Sequence, residues 1–358
     1  MKTRTKVLYL IASSLIVFGM ILAAIGYFNG AHYSLTFTGR SLEVNNNREM
    51  KTKTIPLDAF NKVDGQINNA NIAFVPSDSY KVEIKYPSKQ KWSCKVENGT
   101  LYIQYKRPSK YSFGIGLTAN DSAYIKVYVP NKQSLLSFKL ANRYGDTRIE
   151  GISSDSMNIN SHDGDLSLAD LKAQTLEINN LYGDTRMKGI SSDSIKLNSH
   201  DGDLSLASIK AEELVFKNEY GDSGLKHIHS NHLTGTTNDG DMNLSNINVS
   251  KASFSTKYGD TAIQKITSNG LKMKSNDGDI TVKGSLKGET EIISSYGDVS
   301  LQTAANPKEL SYMLSSKDGD IVVNNKAYEG NVSSTTDSQN RLQVKSHDGD
   351  IALKFSME

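Results

Sequence analysis

The sequence predicts an all-β protein, a parallel β-solenoid preceded by a β-rich cap and one N-terminal transmembrane helix. Three observations support this prediction. A long uncharged stretch follows a short basic start, Gly-Asp dipeptides then recur every 19 residues, and apolar residues keep fixed places within each interval. After the uncharged stretch the apolar residues alternate with polar ones, which is typical of short strands with one buried face, and no stretch keeps a helical period.

The composition excludes some classes of protein. The chain has 358 residues, a hydrophobic fraction of 37% and a net charge of +2. That apolar fraction suits a repeat protein with a thin core, and the nearly balanced charge gives no indication of nucleic-acid binding. The single cysteine, Cys94, cannot form a disulfide within the chain, so we interpret it as a small buried residue.

The N-terminus predicts the location of the protein. Residues 1–6 carry Lys2, Arg4 and Lys6, and residues 7–28 carry no charge. As a helix, residues 7–28 would span roughly 33 Å, about the thickness of a bilayer core. The basic flank predicts a cytoplasmic tail at 1–6, an anchor at 7–28 and an extracytoplasmic remainder. The alternative is a cleaved signal peptide, although the apolar run is long and Asn29-Gly30-Ala31 makes a poor cleavage site.

The remainder of the chain is organised by a 19-residue period. Gly-Asp dipeptides follow one another at this interval eight times running, and two more, at Gly319 and Gly349, follow after intervals of 22 and 30. The longer intervals predict loops inserted near the C-terminal end. The evenly spaced pairs are Gly145-Asp146, Gly164-Asp165, Gly183-Asp184, Gly202-Asp203, Gly221-Asp222, Gly240-Asp241, Gly259-Asp260, Gly278-Asp279 and Gly297-Asp298.

The residue before each glycine alternates between tyrosine and aspartate, so the full repeat has 38 residues. Residues 144–181 and 182–219 are identical at 25 of 38 positions, which indicates duplication. A unit of 19 residues cannot bury its own apolar face, so neighbouring units must stack as coils about 4.8 Å apart. We expect each glycine to supply a turn with positive φ, and each following aspartate to bind backbone amides at that turn.

Residues 29–54 and 55–140 lack the 19-residue period. We interpret 29–54 as a linker with first strands, 55–140 as a β-rich cap over the first coil, and 141–358 as the solenoid. A hairpin turn is predicted at Asn98-Gly99. The strands predicted in the cap are Ile72–Val75, Lys81–Tyr86, Leu101–Tyr105 and Ala123–Val129.

The order of these segments resembles a known family. A short anchor precedes a strand-rich segment with NANIAFVPSDSYKVEIKY and GTLYIQY, then the strand IKVYVP, then the recurring Gly-Asp coils. This order resembles the bacterial putative-adhesin family with β-strand repeats, formerly a domain of unknown function, in a membrane-anchored form. The resemblance implies a location in the cell envelope. It also implies that some relatives are encoded beside envelope-stress regulators, and it offers no catalytic residues.

Two groups of side chains could bind a metal. Aspartates stacked every ~4.8 Å repel one another, and calcium would relieve that repulsion. We interpret these aspartates as turn residues, because the glycine-rich nonapeptide of calcium-binding β-rolls is absent, and we predict no cofactor. The histidines of an H-x-H-x-x-H segment could bind zinc. The alternative is that they arose by drift of the repeat sequence on an exposed strand and bind nothing. The candidates are Asp163, Asp165, Asp201 and Asp203 for calcium and His227, His229 and His232 for zinc.

Residues 32–140 are basic, with sixteen Lys and Arg against eight Asp and Glu. Cations interleaved with aromatic rings suit anionic surfaces such as lipid headgroups or wall polymers, although solvated strand faces would have the same composition. The candidate contacts are Lys85, Lys89, Lys91, Trp92, Lys106, Arg107 and Lys110.

These observations together predict a structural or binding protein of the bacterial envelope, without enzymatic activity. The expected partners are the membrane and, beyond it, wall polymers, a host surface or other envelope proteins, and not nucleic acid. The alternative is an accessory protein of an envelope-stress response that senses or buffers peptides or lipids. A carbohydrate-active enzyme is a remote alternative, because near-identical coils do not single out one catalytic patch.

Overall fold

The structure is a computed structural model that describes residues 3–28, 33–37, 42–46, 50–88, 90–106, 113–115, 123–131 and 133–356. Side chains are described for 9–26, 50–88, 90–105, 123–131 and 133–356. The chain divides into two compact units. The first comprises 1–52, 85–90 and 107–123, and the second comprises 53–84, 91–106 and 124–358.

The first unit contains one helix and a small sheet. Helix α1 spans Thr3–Phe28, and strands β1 (Tyr33–Phe37), β2 (Leu42–Asn46) and β9 (Phe113–Ile115) pair antiparallel in the order β2-β1-β9. Within α1, the segment Tyr9–Gly26 has a mean hydropathy of 2.2 and none of it is buried. Its length and composition fit a membrane-spanning helix, and a signal sequence has the same properties.

The strands of the second unit belong to one 25-stranded sheet, which also includes β3 and β6. The strands that precede the evenly spaced glycines are β3 (Met50–Pro56), β4 (Lys62–Ile67), β5 (Asn71–Ser77), β6 (Lys81–Pro87), β7 (Lys91–Glu97), β8 (Thr100–Lys106), β10 (Tyr124–Pro130) and β11 (Ser134–Tyr144). The strands of the repeats are β12 (Thr147–Glu150), β13 (Ser153–Asp163), β14 (Leu166–Ala169), β15 (Lys172–Tyr182), β16 (Thr185–Asp201), β17 (Leu204–Tyr220), β18 (Ser223–Asp239), β19 (Met242–Tyr258), β20 (Thr261–Asp277), β21 (Ile280–Tyr296) and β22 (Val299–Thr303). The C-terminal elements are a 3-10 helix (Pro307–Glu309) and β23 (Ser311–Ser316), β24 (Ile321–Val323), β25 (Lys326–Tyr328), β26 (Val332–Ser334), β27 (Arg341–Asp348) and β28 (Ile351–Phe355).

The repeats form the predicted parallel solenoid of about nine turns, with about 19 residues per turn. In the regular coils one strand of 17 residues, such as β16, is followed by the Gly-Asp pair and then by the next strand. Neighbouring coils pair parallel with an offset of 19, so that Thr185 lies beside Leu204 and Asp201 beside Tyr220. Alternate side chains point inward and are buried, which gives a narrow apolar core along the solenoid.

The Gly-Asp corner requires glycine for two reasons. Gly202 has a φ of 123°, a backbone conformation that residues other than glycine rarely adopt. A Cβ on Gly202 would also lie 2.6 Å from the carbonyl carbon of Gly183 in the preceding coil. The same two conditions hold at Gly164, Gly221 and Gly240, so the glycines are retained because backbones stack there without room for a side chain.

The interior of the first coils follows the 38-residue period. In the coils of Tyr144, Tyr182 and Tyr220, a buried asparagine bonds to the corner. In the second of these coils, Asn180 Nδ2 donates to the Gly183 carbonyl (2.7 Å) and to Thr185 Oγ1 (3.0 Å). In the next coil the equivalent positions hold Ser199 and Leu204, both buried. From Asn142 to Ser223, a hydrogen-bonded polar pair therefore alternates with a small polar residue and a leucine, and the two coil types fill the corner differently.

A second corner with positive φ was not predicted. It lies six residues after each corner glycine from Gly145 to Gly278, and φ is between 52° and 57° at Asp170, Ser208, Asn246 and Lys265. Because the residue type changes from coil to coil, this corner leaves no regular signal in the sequence. Its occupants accept the left-handed conformation at a modest cost, since Asp170, Ser208 and Lys265 are exposed, Asn246 is half-buried, and each makes one turn only.

Parallel stacking extends into the segment predicted as a cap. Strand β4 pairs parallel with β11, and β5 pairs parallel with β10 and β12, so both lie in the ladder of the first Gly-Asp coil. Strands β7 and β8 form the predicted hairpin, with Glu97 opposite Thr100 and with Asn98 and Gly99 at φ of 50° and 71°.

The C-terminal coils do not stack in chain order. Strand β27 pairs with β21 on one side and with β23 on the other, and β28 pairs with β22 and β24. The coil of Gly349 therefore lies between those of Gly297 and Gly319. The outermost strands are covered by short antiparallel partners, β26 on β23 and β25 on β24. The long intervals in the sequence thus reflect an inserted final coil as well as loops.

Candidate functional site

The Gly-Asp corner forms one continuous surface along the solenoid, which we call the acidic-aromatic edge. It consists of the residue before each corner glycine and the aspartate after it. These residues are exposed, with Asp184 half-buried. The members before the glycines are Tyr144, Asp163, Tyr182, Asp201, Tyr220, Asp239, Tyr258, Asp277, Tyr296, Asp348 and Asp318, and those after them are Asp146, Asp165, Asp184, Asp203, Asp222, Asp241, Asp260, Asp279, Asp298, Asp350 and Asp320.

The aspartates after the glycines form a ladder that joins the coils. The backbone amide of Asp184 donates to Asp165 Oδ1 at 3.0 Å, and the amide of Asp203 donates to Asp184 Oδ1 at 3.0 Å. The ladder continues through the inserted coil, where the amides of Asp350 and Asp320 donate to Asp298 and Asp350. The acceptor thus serves an amide of the neighbouring coil, whereas the sequence had suggested an amide of the same turn. Every ladder member except Asp320, which ends the ladder, has one carboxylate oxygen engaged in this way.

The tyrosines before the glycines have no role in the core. Their rings are 40 to 51% exposed. Histidines of the intervening coils lie between the first three, giving ring-centroid distances of 6.0 Å from Tyr144 to His162 and 5.7 Å from His162 to Tyr182. His200 continues the row, 6.1 Å from Tyr182 and 5.4 Å from Tyr220. The edge therefore carries a row of exposed rings beside its carboxylates.

Cationic side chains of the chain itself already contact this edge. The Arg186 guanidinium lies 2.6 Å from Asp184 Oδ2 and 3.5 Å from Asp165 Oδ2, so it spans two coils. Arg143 lies over the Tyr144 ring at 5.3 Å, and Lys257 over the Tyr258 ring at 5.0 Å. Both carboxylates and rings of the edge thus accept cations.

One carboxyl group beside the row has a shifted pKa. The Lys217 ammonium, 2.5 Å from Glu219 Oε1, and the His200 ring, 2.6 Å from Glu219 Oε2, hold the pKa of the Glu219 carboxyl below its usual range. Hydrogen bonding to the charged form is the main cause. Elsewhere, burial raises the pKa of the Cys94 thiol on β7 to about 11, which keeps this thiol protonated at neutral pH.

The zinc candidates His227, His229 and His232 are all exposed, and His227 occupies the second left-handed corner with φ of 55°. Across the part of the chain that the structure describes, three metal-ligand atoms approach within 4.8 Å of one another only at Asp318, His347 and Asp348. Neither these histidines nor the calcium candidates Asp163, Asp165, Asp201 and Asp203 are brought together in that way.

The group of Asp318, His347 and Asp348 could not be found from the sequence, because it depends on the inserted coil. That coil places two Asp-Gly-Asp corners side by side, whereas the other coils alternate. The Lys317 ammonium lies 3.6 Å from Asp318 Oδ2 and 3.3 Å from His347 Nε2, so a cation is already present there.

The basic candidates of the first 140 residues are only partly described. Lys91 and Trp92 are neighbours on β7, and Lys53 Nζ lies 5.9 Å from the Trp92 ring centroid. Lys85 is half-buried on β6. Lys89, Arg107 and Lys110 lie outside the described residues, as does the side chain of Lys106. Contact with an anionic surface stays a prediction.

Comparisons with known proteins address the fold. No curated protein matches the chain. Similar solved structures include three that are matched over 97% or more of their own length. A "putative adhesin" from Parabacteroides merdae has 16% identity over 71% of this chain and 97% of its own, with a TM-score of 0.44. A "putative lipid binding protein" from Parabacteroides distasonis has 16% identity over 71% and 97%, with a TM-score of 0.41. A "putative cell adhesion protein" from Clostridium sporogenes has 12% identity over 86% and 99%, with a TM-score of 0.21.

A family model describes the repeats themselves. The Toastrack DUF4097 model matches twice, over residues 60–222 and 191–354. The two matches together span the solenoid and the strands that stack beneath its first Gly-Asp coil, which is well over half of the sequence. This protein therefore belongs to the Toastrack DUF4097 family.

Proposed function

We propose that this protein is a membrane-anchored binding module of the bacterial envelope, with its solenoid outside the cell and no enzymatic activity. The observation that carries the proposal is the combination of one apolar helix with an edge whose exposed side chains repeat coil after coil. A repeated surface suits an extended partner, because each coil offers nearly the same contacts. Catalysis instead needs unlike groups converging on one patch.

The orientation rests on the charges that flank α1. Lys2, Arg4 and Lys6 precede the apolar segment, and the next basic residue after it is Arg40. Positive residues remain on the cytoplasmic side of a membrane helix, which directs the solenoid outward. The names of similar structures, adhesins and a lipid-binding protein, are consistent with an exposed binding role, although they describe those proteins.

Protease accessibility tests the topology. We expect protease added to intact, wall-stripped cells to digest the solenoid, while a cytoplasmic marker enzyme stays whole. Digestion that requires lysis of the cells would reverse the proposed orientation. A shortened N-terminus, found by mass spectrometry of the purified protein, would replace the anchor by a cleaved signal peptide.

We also propose that the edge aspartates serve the fold without calcium. The Oδ1 atoms of the ladder aspartates already accept backbone amides, as at Asp184 and Asp203. Chelation should therefore move the melting temperature of the full chain by no more than about 2 °C, since an ion that binds the folded state stabilises it by mass action. A large fall on chelation, restored by added calcium, would contradict this proposal.

A further inference from the structure

The acidic-aromatic edge concentrates negative charge on a chain whose net charge is close to zero. Seventeen of the 39 acidic residues lie on it, although the net charge of the chain is +2. The rest of the sequence therefore has 22 acidic residues against 41 basic ones. A stripe of one sign attracts partners of the opposite sign and repels anionic polymers.

Only part of this charge is used by the fold. The ladder aspartates give one oxygen to a neighbouring amide, as Asp165 does for Asp184. The aspartates before the glycines have no such duty: the side chains of Asp163, Asp201 and Asp239 make no hydrogen bond or ion pair to any residue that the structure describes. Their charges are therefore available to a partner.

The tyrosines need a separate explanation. Equivalent positions of successive repeats can be compared within this one chain. The residue directly before the tyrosine differs in every case, being Arg143, Leu181, Glu219, Lys257 or Ser295. The tyrosine itself is present in every second coil from Tyr144 to Tyr296. Neither burial nor a hydrogen bond to a described residue explains an exposed ring of one type at five equivalent positions. Exposed aromatic rings beside carboxylates are typical of cation recognition.

The chain's own cations show the geometry of such recognition. Arg186 bridges the carboxylates of Asp165 and Asp184 on successive coils, and Arg143 and Lys257 lie over tyrosine rings. Two kinds of contact, bridging between coils and stacking on a ring, are therefore compatible with this surface. Arginine makes both kinds, because its planar guanidinium can stack and can also donate to two carboxylates.

We propose that the acidic-aromatic edge binds extended basic peptide segments, whose arginine and lysine side chains bridge carboxylates of successive coils and stack on the tyrosines. Along the edge, coils about 4.8 Å apart each offer a ladder carboxylate. An extended peptide presents a side chain on one face only about every 7 Å, so carboxylates are more closely spaced than the side chains they would bind. Each basic side chain thus finds an acceptor within reach. The inference rests on the proposed function in one respect: the edge must lie outside the cell to encounter extracytoplasmic peptides.

Binding is measured on the full chain in neutral phosphatidylcholine nanodiscs. The probe is a fluorescein-labelled peptide of alternating arginine and serine, about twelve residues long, which spans roughly 40 Å when extended. The control peptide replaces arginine by glutamate. We expect fluorescence anisotropy to detect the basic peptide and not the acidic one. Equal binding of both peptides would overturn the proposal.

Two pairs of variants locate the contact. The ring variant changes Tyr144, Tyr182, Tyr220, Tyr258 and Tyr296 to Ser, and its control changes the same residues to Phe. We expect the serine variant to weaken binding by about tenfold or more, from the loss of several exposed cation–π contacts, and the phenylalanine variant to stay within about twofold of the parent. Equal affinities of the serine and phenylalanine variants would remove the rings from the proposed site.

The charge variant changes Asp163, Asp201, Asp239 and Asp277 to Asn. Its control neutralises four exposed acids away from the edge by Asp155→Asn, Asp193→Asn, Glu212→Gln and Glu213→Gln. We expect the edge variant to lose at least about fivefold more affinity than the control. Equal losses would show diffuse attraction to the whole molecule and overturn the proposal.

A measurement on the unmodified chain does not depend on the folding of variants. Bound peptide should protect Tyr182 and Tyr220 from nitration by tetranitromethane, and Tyr102 on β8 serves as an internal reference away from the edge. Unchanged nitration in the presence of saturating peptide would refute the edge as the binding surface. If binding fails while protease still reaches the solenoid on intact cells, the proposed function stands and only the peptide inference is lost.

Discussion

The strongest prediction concerns one corner glycine, Gly202. Replacement by alanine keeps φ near 123°, which costs of order 1–3 kcal/mol for a residue with a side chain. The new Cβ would also lie 2.6 Å from the carbonyl carbon of Gly183, and forcing two backbones apart in a packed stack adds roughly 1–3 kcal/mol. We therefore expect Gly202→Ala to lower the free energy of unfolding by about 2–6 kcal/mol.

Gly224 provides the matched control. It lies three residues after the next corner glycine, has no positive φ, and a Cβ there would approach nothing closer than the Leu204 carbonyl oxygen at 3.8 Å. Gly224→Ala should change stability by no more than about 0.5 kcal/mol in the unfavourable direction. Urea unfolding of both variants, followed by circular dichroism, measures the difference. Equal midpoints for the two variants would refute the stacked-backbone explanation of the corner.

Three further predictions follow. Deletion of 182–219 removes one pair of coils and should be tolerated better than deletion of 182–200, which leaves a buried asparagine without its threonine. Thermal melts followed by circular dichroism compare the two deletions. Equal falls in melting temperature would contradict the interior alternation. Alkylation of Cys94 by iodoacetamide should be slow at pH 7.5 and accelerate towards pH 11; fast labelling at neutral pH would show a normal thiol pKa. Because the folded-state pKa of Glu219 is lowered, its pairing stabilises the protein above the ordinary value of 4.5 and is lost as the pH falls through the folded-state pKa. Melts of Glu219→Gln and the parent should therefore differ at neutral pH and converge in acid.

The regular coils were predictable because their constraints are local and repeated. Gly183 and Gly202 recur because the stack leaves no space for a side chain, and the inward apolar positions recur because every coil faces the same core. The hairpin at Asn98-Gly99 was predictable for a related reason, since its turn needs positive φ at two successive residues. In each case one physical requirement selects one residue type at one position.

The acidic-aromatic edge was only partly predictable. The alternation of Tyr182 and Asp201 is visible in the sequence, but the histidine row between the tyrosines depends on which side chains meet across coils. The second corner, at Ser208 and Lys265, was not predictable, because exposed residues of many types accept a single left-handed turn. Where several residue types satisfy the same structural requirement, no single residue type recurs in the sequence to reveal it.

By itself the sequence determined the family, the 19-residue coil, the 38-residue alternation and the apolar N-terminal segment, because each follows from near-neighbour chemistry. Only the tertiary structure decided the order of the last coils. The Gly349 coil inserts between those of Gly297 and Gly319, and the Asp298 carboxylate accepts the amide of Asp350 across 52 residues of sequence. Stacked coils have nearly identical faces, so local pattern does not fix which coil lies next to which. The choice is made by the loops that return the chain and by the antiparallel strands that cover the final edge.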